Sequence, residues 1–249
     1  MRLDFCRTAG RFLFRVLCVL IVANTILVKV GWAQTVRPVI NELGDPAKGR
    51  VEYVNDGLTP LNVVLEAKSF SVSETGEISY GPLDPSIHLK LSTSSFRIQP
   101  QQTYYVFYEA TSPKAPAWFV IYAAFSGFPF RTAQGMNVRL ELPHTVYLLP
   151  KQSVQKPEVH IVRAELNRSE KKALLEVENT GDNFGRVLDT QLVYAKRKQD
   201  APGFPIFPHS KRIVEVALDE KAGSGNEPAG FVLQLENFKV EGELAERAP

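Results

Sequence analysis

Apolar residues recur at every second position in many short stretches of this chain, the period of half-buried β-strands. Val51 and Tyr53 alternate with polar neighbours and run into Asn55-Asp56-Gly57, a tight-turn signal. Val63, Leu65 and Ala67, then Val72, alternate as far as Glu74-Thr75-Gly76-Glu77. Residues 104–108 are dense in aromatic and β-branched side chains. Residues 118–125 are almost continuously apolar, the pattern of a strand covered on both faces. Met136, Val138, Leu140 and Leu142 alternate strictly with Asn137, Arg139 and Glu141. Beyond Pro143, residues 146–149 continue extended to Pro150.

The second half has the same character. Val159 and Ile161 open it, and residues 174–178, 186–194, 213–218 and 231–238 read as further strands. No stretch holds a 3.6-residue apolar period over three turns, and 17 prolines spread along the chain disfavour long helices. Many short strands separated by turn signals predict an all-β fold of two sandwiches. The halves also share punctuation. Residues 50–57 (Arg-Val-Glu-Tyr-Val-Asn-Asp-Gly) resemble 174–181 (Leu-Leu-Glu-Val-Glu-Asn-Thr-Gly), each an alternating strand closed by Asn-x-Gly. Ile98-Gln99-Pro100 precedes the Tyr104 strand as Ile206-Phe207-Pro208 precedes the Ile213 strand. The common order predicts two domains of one type, joined by the polar, proline-bounded residues 151–157.

The N-terminus departs from this pattern. Arg2, Arg7, Arg11 and Arg15 precede an apolar run of 13 residues, 16–28, interrupted only by Asn24 and Thr25, and Gly31-Trp32-Ala33 follows. That is the order of a secretory signal, with cleavage expected after Ala33; the run is shorter than the roughly 18–20 residues of a membrane span. A retained anchor is the alternative. Both cysteines, Cys6 and Cys18, lie in this segment, so the exported part has no disulfide and is held by burial. Five basic residues and one acidic residue also lie there. The 29 basic and 27 acidic residues of the whole chain thus leave 24 and 26 beyond Ala33, which offers no basic field to a nucleic acid. Aromatic residues, at 10%, suit a packed β core.

Catalytic patterns are sparse. His88, His144, His160 and His209 stand at no metal-ligand spacing from one another or from a cysteine. No Gly-x-Ser-x-Gly elbow occurs, and Gly223-Ser224-Gly225 lacks the Lys-Ser/Thr of a phosphate cradle and reads as a hairpin loop. Asn167-Arg168-Ser169 matches a short glycosylation sequon. A pair of distant carboxylates, such as Glu109 and Glu141, leaves a glycoside-acting site open.

Several local features resemble the periplasmic chaperones of the chaperone–usher pathway. Residues 49–55 (Gly-Arg-Val-Glu-Tyr-Val-Asn), then Pro60-Leu61 and the strand 63–70, look like that family's second and third strands. Residues 94–104 (Ser-Ser-Phe-Arg-Ile-Gln-Pro-Gln-Gln-Thr-Tyr) look like its apolar-x-x-Pro-Gly turn, with Gln101 where the usual glycine stands. Residues 136–142, followed by 146–150, look like the long last strand of its first domain. The likeness covers most of 36–157 and, more loosely, the rest.

The resemblance implies two immunoglobulin-like β-sandwich domains in tandem: a signal peptide at 1–33, a chaperone domain at 34–150, a linker at 151–157 and a second domain at 158–249. It implies a periplasmic, non-enzymatic protein without cofactor or metal, whose partners are fimbrial or pilus subunits and an outer-membrane usher. Donor-strand complementation would use Met136, Val138, Leu140 and Leu142, two apart and so on one face. The other reading of their period is that they face the chain's own core. The family anchors the subunit's terminal carboxylate with an arginine and a lysine. Counted back from Pro150, the lysine position holds Thr145, and Arg37 is the candidate for the arginine. The competing functional readings are a structural or adhesive two-domain sandwich that captures no subunit, and a carbohydrate-binding or glycoside-acting module.

Overall fold

The computed structural model describes residues 34–127, 140–194, 197–218 and 229–246. The expected signal segment, the candidate donor residues Met136 and Val138, and the loop Gly223-Ser224-Gly225 lie outside the described residues.

The first half contributes β1 (Gln34–Arg37), β2 (Ile40–Gly44), β3 (Ala47–Asn55), β4 (Leu61–Val72), β5 (Ile78–Pro82), β6 (His88–Leu91), β7 (Ser95–Ile98), β8 (Gln102–Thr111), β9 (Ala117–Ser126) and β10 (Leu140–Leu149). They form two sheets, in the orders β1-β3-β8-β6 and β2-β10-β9-β4-β5, with β7 also on β4. The alternation in sequence decides the inner faces. Val51 and Tyr53 of β3, Val63 and Leu65 of β4, Val106 and Tyr108 of β8, and Phe119, Ile121 and Phe125 of β9 are buried between the sheets. Gly49 is required in β3 because a Cβ there would stand 2.1 Å from the Tyr108 ring.

After a 3₁₀ turn at Lys156–Glu158 the second half contributes β11 (Val159–Asn167), β12 (Lys172–Asn179), β13 (Gly185–Tyr194), β14 (Arg197–Ile206), β15 (Ser210–Ala217), β16 (Ala229–Leu235), β17 (Lys239–Glu243) and β18 (Ala245–Glu246). Their sheets run β15-β12-β11-β18 and β14-β13-β16-β17 around a core that includes Leu175, Val177, Leu192, Phe231 and Leu233. The fold is all-β, four sheets in two sandwiches. Residues Thr35–Pro249 make one compact unit.

The shared punctuation has one physical basis in both halves. Asn55 and Asn179 are fully buried at the ends of β3 and β12. Asn55 Nδ2 donates to the carbonyls of Thr59, Ile98 and Gln99, and its Oδ1 accepts from Gly57 N. Asn179 Nδ2 donates to Asn183 and Ile206, and its Oδ1 accepts from Gly181 N. Each side chain ties its turn to the isoleucine of an Ile-x-Pro run. The residue after each proline, Gln101 at φ 57° and His209 at φ 50°, lies in the left-handed region that favours glycine. Both are held to the Asn-x-Gly turn. Gln101 Nε2 donates to the carbonyls of Asp56 and Gly57, and His209 N donates to the carbonyl of Gly181.

Two sequence expectations needed correction. Coverage of β9 on both faces holds only at its start, where Trp118 packs on Phe207 with ring centroids 4.6 Å apart and Val120 is buried; Tyr122 and Ala124 farther along are partly exposed. Strand β14 carries no sequence signal because Pro202, Gly203 and Pro205 fall within it. As the outermost strand of its sheet it can lose those ladder bonds.

The sandwiches meet through Tyr147, Phe184 and Phe207, with Phe70, Val72, Trp118 and Leu149 against them. Arg186 lies over the rings of Tyr147 and Phe184 and pairs with Glu42. The turn between β4 and β5 reaches β15, where Ile213 N donates to the Glu74 carbonyl at 2.7 Å and Arg212 donates to the carbonyls of Ser73 and Glu74.

Candidate functional site: one flank of the tenth strand

Strand β10 pairs with β9 over Leu140–Leu148, but its other flank is only half used. There β2 runs parallel to it, matching Thr145–Leu149 with Ile40–Gly44, and stops. Among the described residues no strand pairs with the stretch 140–144 on the side away from β9. Burial falls off along the same stretch. Of the inward-facing side chains, Val146 and Leu148 are fully buried, whereas Leu142 and Leu140 pack against the core and stay half-buried. Both expected donor residues that are described therefore lie on one face, beside the part of the flank that β2 does not reach, with part of their apolar surface uncovered.

Where β2 begins, a polar cluster fixes β10. His144 is fully buried, its Nδ1 2.6 Å from the Pro38 carbonyl and its Nε2 3.1 Å from the Tyr108 hydroxyl. A carbonyl only accepts, so Nδ1 carries the proton and Nε2 accepts from the Tyr108 O–H. Asn41 Nδ2 donates to the same hydroxyl at 3.0 Å. Burial pushes the His144 pKa down, against the Pro38 hydrogen bond that favours the charged form.

The candidate carboxylate anchors belong to strands of different sheets. Thr145 pairs with Ile40, and its N–H donates to Val39. Arg37 is exposed at the end of β1, which belongs to the other sheet. Thr145 instead lines a mainly apolar cavity of about 230 Å³ with Ile40, Ile78, Tyr80, Tyr147 and Arg212. Sequence reasoning missed Arg186 and Arg212 as the guanidiniums at the junction, because each meets its first-half contacts across about 140 residues of chain. Glu109 and Glu141, the carboxylates a glycoside-acting site would bring together, stand on different sheets, and Glu109 is ion-paired with Lys48 at 2.9 Å. Among the described residues no group of His, Cys, Asp and Glu could hold a metal ion, and no helix is long and apolar enough to cross a membrane.

No protein-family model and no curated protein matches this sequence. Solved structures do match it. The YadV chaperone superposes with a TM-score of 0.54 at 13% identity, over 85% of this chain and 99% of that one. A chain of the Salmonella enterica complex of SafA pilin with the SafB chaperone gives 0.53 at 10% identity, over 86% and 97%. A chain of the Acinetobacter baumannii CsuC–CsuE chaperone–tip adhesion subunit pre-assembly complex gives 0.50 at 14% identity, over 87% and 100%. The chain has the fold of a chaperone–usher pilus chaperone. Its two sandwiches are thus the tandem immunoglobulin-like domains that the sequence resemblance implied, and the likeness spans both. Within that chaperone fold, Gln101 occupies a left-handed position, which is the physical reason a glycine is usual at this turn.

Proposed function

We propose that this protein is a periplasmic chaperone that captures fimbrial or pilus subunits by donor-strand complementation and delivers them to an outer-membrane usher. The observation that carries the reading is β10: an apolar strand with a half-used flank and half-buried Leu140 and Leu142, in a fold shared with pilus chaperones. An incoming extended segment would gain backbone hydrogen bonds along that flank, and alternate side chains would cover Leu140 and Leu142. Each large apolar side chain so covered contributes at most roughly 1.5–3 kcal/mol, less here because both are already partly buried. Met136 and Val138 extend the same alternation in sequence. Arg37 is the candidate anchor for a terminal carboxylate. The domains assigned are a signal peptide over 1–33, a capturing domain over 34–150, a linker over 151–157 and a second domain over 158–249, with no cofactor and no catalytic residue.

The test is co-expression of the full chain with a fimbrial subunit from the same genome, beside Leu140→Glu. The expected outcome is a stable 1:1 complex with the parent chain and none with the variant, while the variant's circular dichroism and melting stay those of a folded protein. Failure of the parent chain to hold any subunit would turn the reading to a structural or adhesive sandwich.

A further inference from the structure

The cavity beside Thr145 holds a positive charge that no described carboxylate neutralises. Ile40 and Thr145 line it from the first sandwich, Pro205 and Arg212 from the second, and its volume is about 230 Å³. Apart from Arg212 its lining residues are uncharged. A guanidinium stays protonated in a protein. The cavity is therefore a mainly apolar space with one fixed cation in its wall.

The other arginines show how unusual that cation is. Among the described residues Arg168, Arg186 and Arg212 are the half-buried ones. Arg168 pairs with Glu246 at 2.8 Å, and Arg186 pairs with Glu42. Arg212 has only main-chain acceptors. Its Nη1 donates to the carbonyls of Ser73 and Glu74 at 3.4 and 3.2 Å, both long, and its Nε is shielded from solvent without a partner. Burial lowers its pKa, and no neighbouring carboxylate raises it again. Carbonyl dipoles offset part of the cost of burying a charge, and an anion offsets the rest.

We propose that this cavity binds a small carboxylate with an apolar body, held by Arg212 of the second sandwich. The planar guanidinium matches a carboxylate, Thr145 brings a hydroxyl that can donate to it, and Phe70, Val72 and Val120 receive the body. Drug-sized sites occupy roughly 300–1,000 Å³, so the body is one ring or a short aliphatic tail. The same chemistry has two sources, a free acid and a chain terminus that ends in an apolar residue. The site stands on the cavity and its charge. Its use by a captured subunit's terminus rests on the function proposed above, and Arg212 would then hold the carboxylate in place of Arg37, which does not line the cavity.

The experiment is titration calorimetry and thermal melting of the full-chain protein with phenylacetate, acetate and 2-phenylethanol. Phenylacetate is expected to bind 1:1 and raise the melting temperature. Acetate lacks the body and 2-phenylethanol the charge, and each is expected to bind at least about tenfold more weakly. Arg212→Gln is expected to lose the phenylacetate signal, and Arg97→Gln, on exposed β7 away from the cavity, to keep it. Thr145→Glu supplies a carboxylate from within. It is expected to abolish binding and to raise the melting temperature, which a merely disruptive substitution does not do. A peptide ending in phenylalanine, as free acid and as amide, separates the sources: binding by the acid alone assigns a chain terminus, and silence from both beside phenylacetate binding assigns a free acid. Either result supports the site. A folded parent protein that binds phenylacetate no better than 2-phenylethanol would overturn the proposal, as would binding that survives both Arg212→Gln and Thr145→Glu. No subunit enters these titrations, so this experiment and the Leu140→Glu experiment fail separately.

Discussion

Each sandwich follows its central pair of strands with a further strand, β10 in the first and β17 in the second, and the two are finished in opposite ways. Strand β17 has five residues, three of them charged, and among the described residues is paired on one side only. Strand β10 has ten mostly apolar residues, and among the described residues β2 pairs with it along its second half only. The turns behind these strands are nevertheless the same device, an Asn-x-Gly clamp tied to an Ile-x-Pro run. Scaffold and edge are separable: one internal fastening supports a short charged edge and a long apolar one.

The largest effect should come from removing that fastening. Asn55→Ala leaves three carbonyls and the Gly57 N–H without their partner, and Asn179→Ala leaves two carbonyls and the Gly181 N–H. Each substitution is expected to lower stability by roughly 2–4 kcal/mol, Asn55 more than Asn179, as read by urea unfolding. Equal losses would mean that the third carbonyl contact of Asn55 adds nothing.

A smaller effect sharpens the contrast between the edges, because only β10 is pinned by a buried histidine. His144 is held neutral by burial, so its pKa in the fold lies below the unfolded value of about 6.5. The unfolded chain then binds more protons below that pH. The stability that neutral His144 supplies is complete above about pH 6.5 and is lost as pH falls toward the folded value, at up to about 1.4 kcal/mol per pH unit. Protonation would also make Nε2 a donor and leave the Tyr108 hydroxyl proton without its acceptor. His144→Gln is expected to flatten the stability profile between about pH 6.5 and 5, measured by unfolding at each pH; an unchanged slope would assign the acid sensitivity elsewhere.

The smallest effect concerns the two left-handed residues. Gln101→Gly and His209→Gly relieve backbone strain but give up side-chain bonds for Gln101 and the His209–Asp182 contact at 2.7 Å. Thermal melts are expected to move by less than about 1 kcal/mol in either direction. Gln101→Val, a β-branched residue at positive φ, is expected to cost more than either.

Much of this architecture was legible in sequence because it is local. Period 2 marks the inner faces of β3, β4 and β8, and the repeated punctuation marks the two clamps. What was not legible depends on distance or direction. Strand β14 hides behind two prolines that only an outermost strand tolerates. Arg186 and Glu42 stand 144 positions apart. The alternation of Leu140 and Leu142 predicts a shared face but not whether it is covered, since that depends on where β2 begins.

The turn between β4 and β5 has a mechanical consequence. It meets β15 through the carbonyls of Ser73 and Glu74 and the N–H of Ile213, and Gly76, at φ 92°, leaves room for the Arg212 guanidinium, which a Cβ would approach to 2.0 Å. The acceptors of this strut are main-chain carbonyls, and two of its three hydrogen bonds are donated by the Arg212 side chain. On the β4–β5 side it uses only groups that every amino acid carries, so the residues of that turn can drift while the brace persists, provided that position 76 stays bare and position 212 keeps its guanidinium.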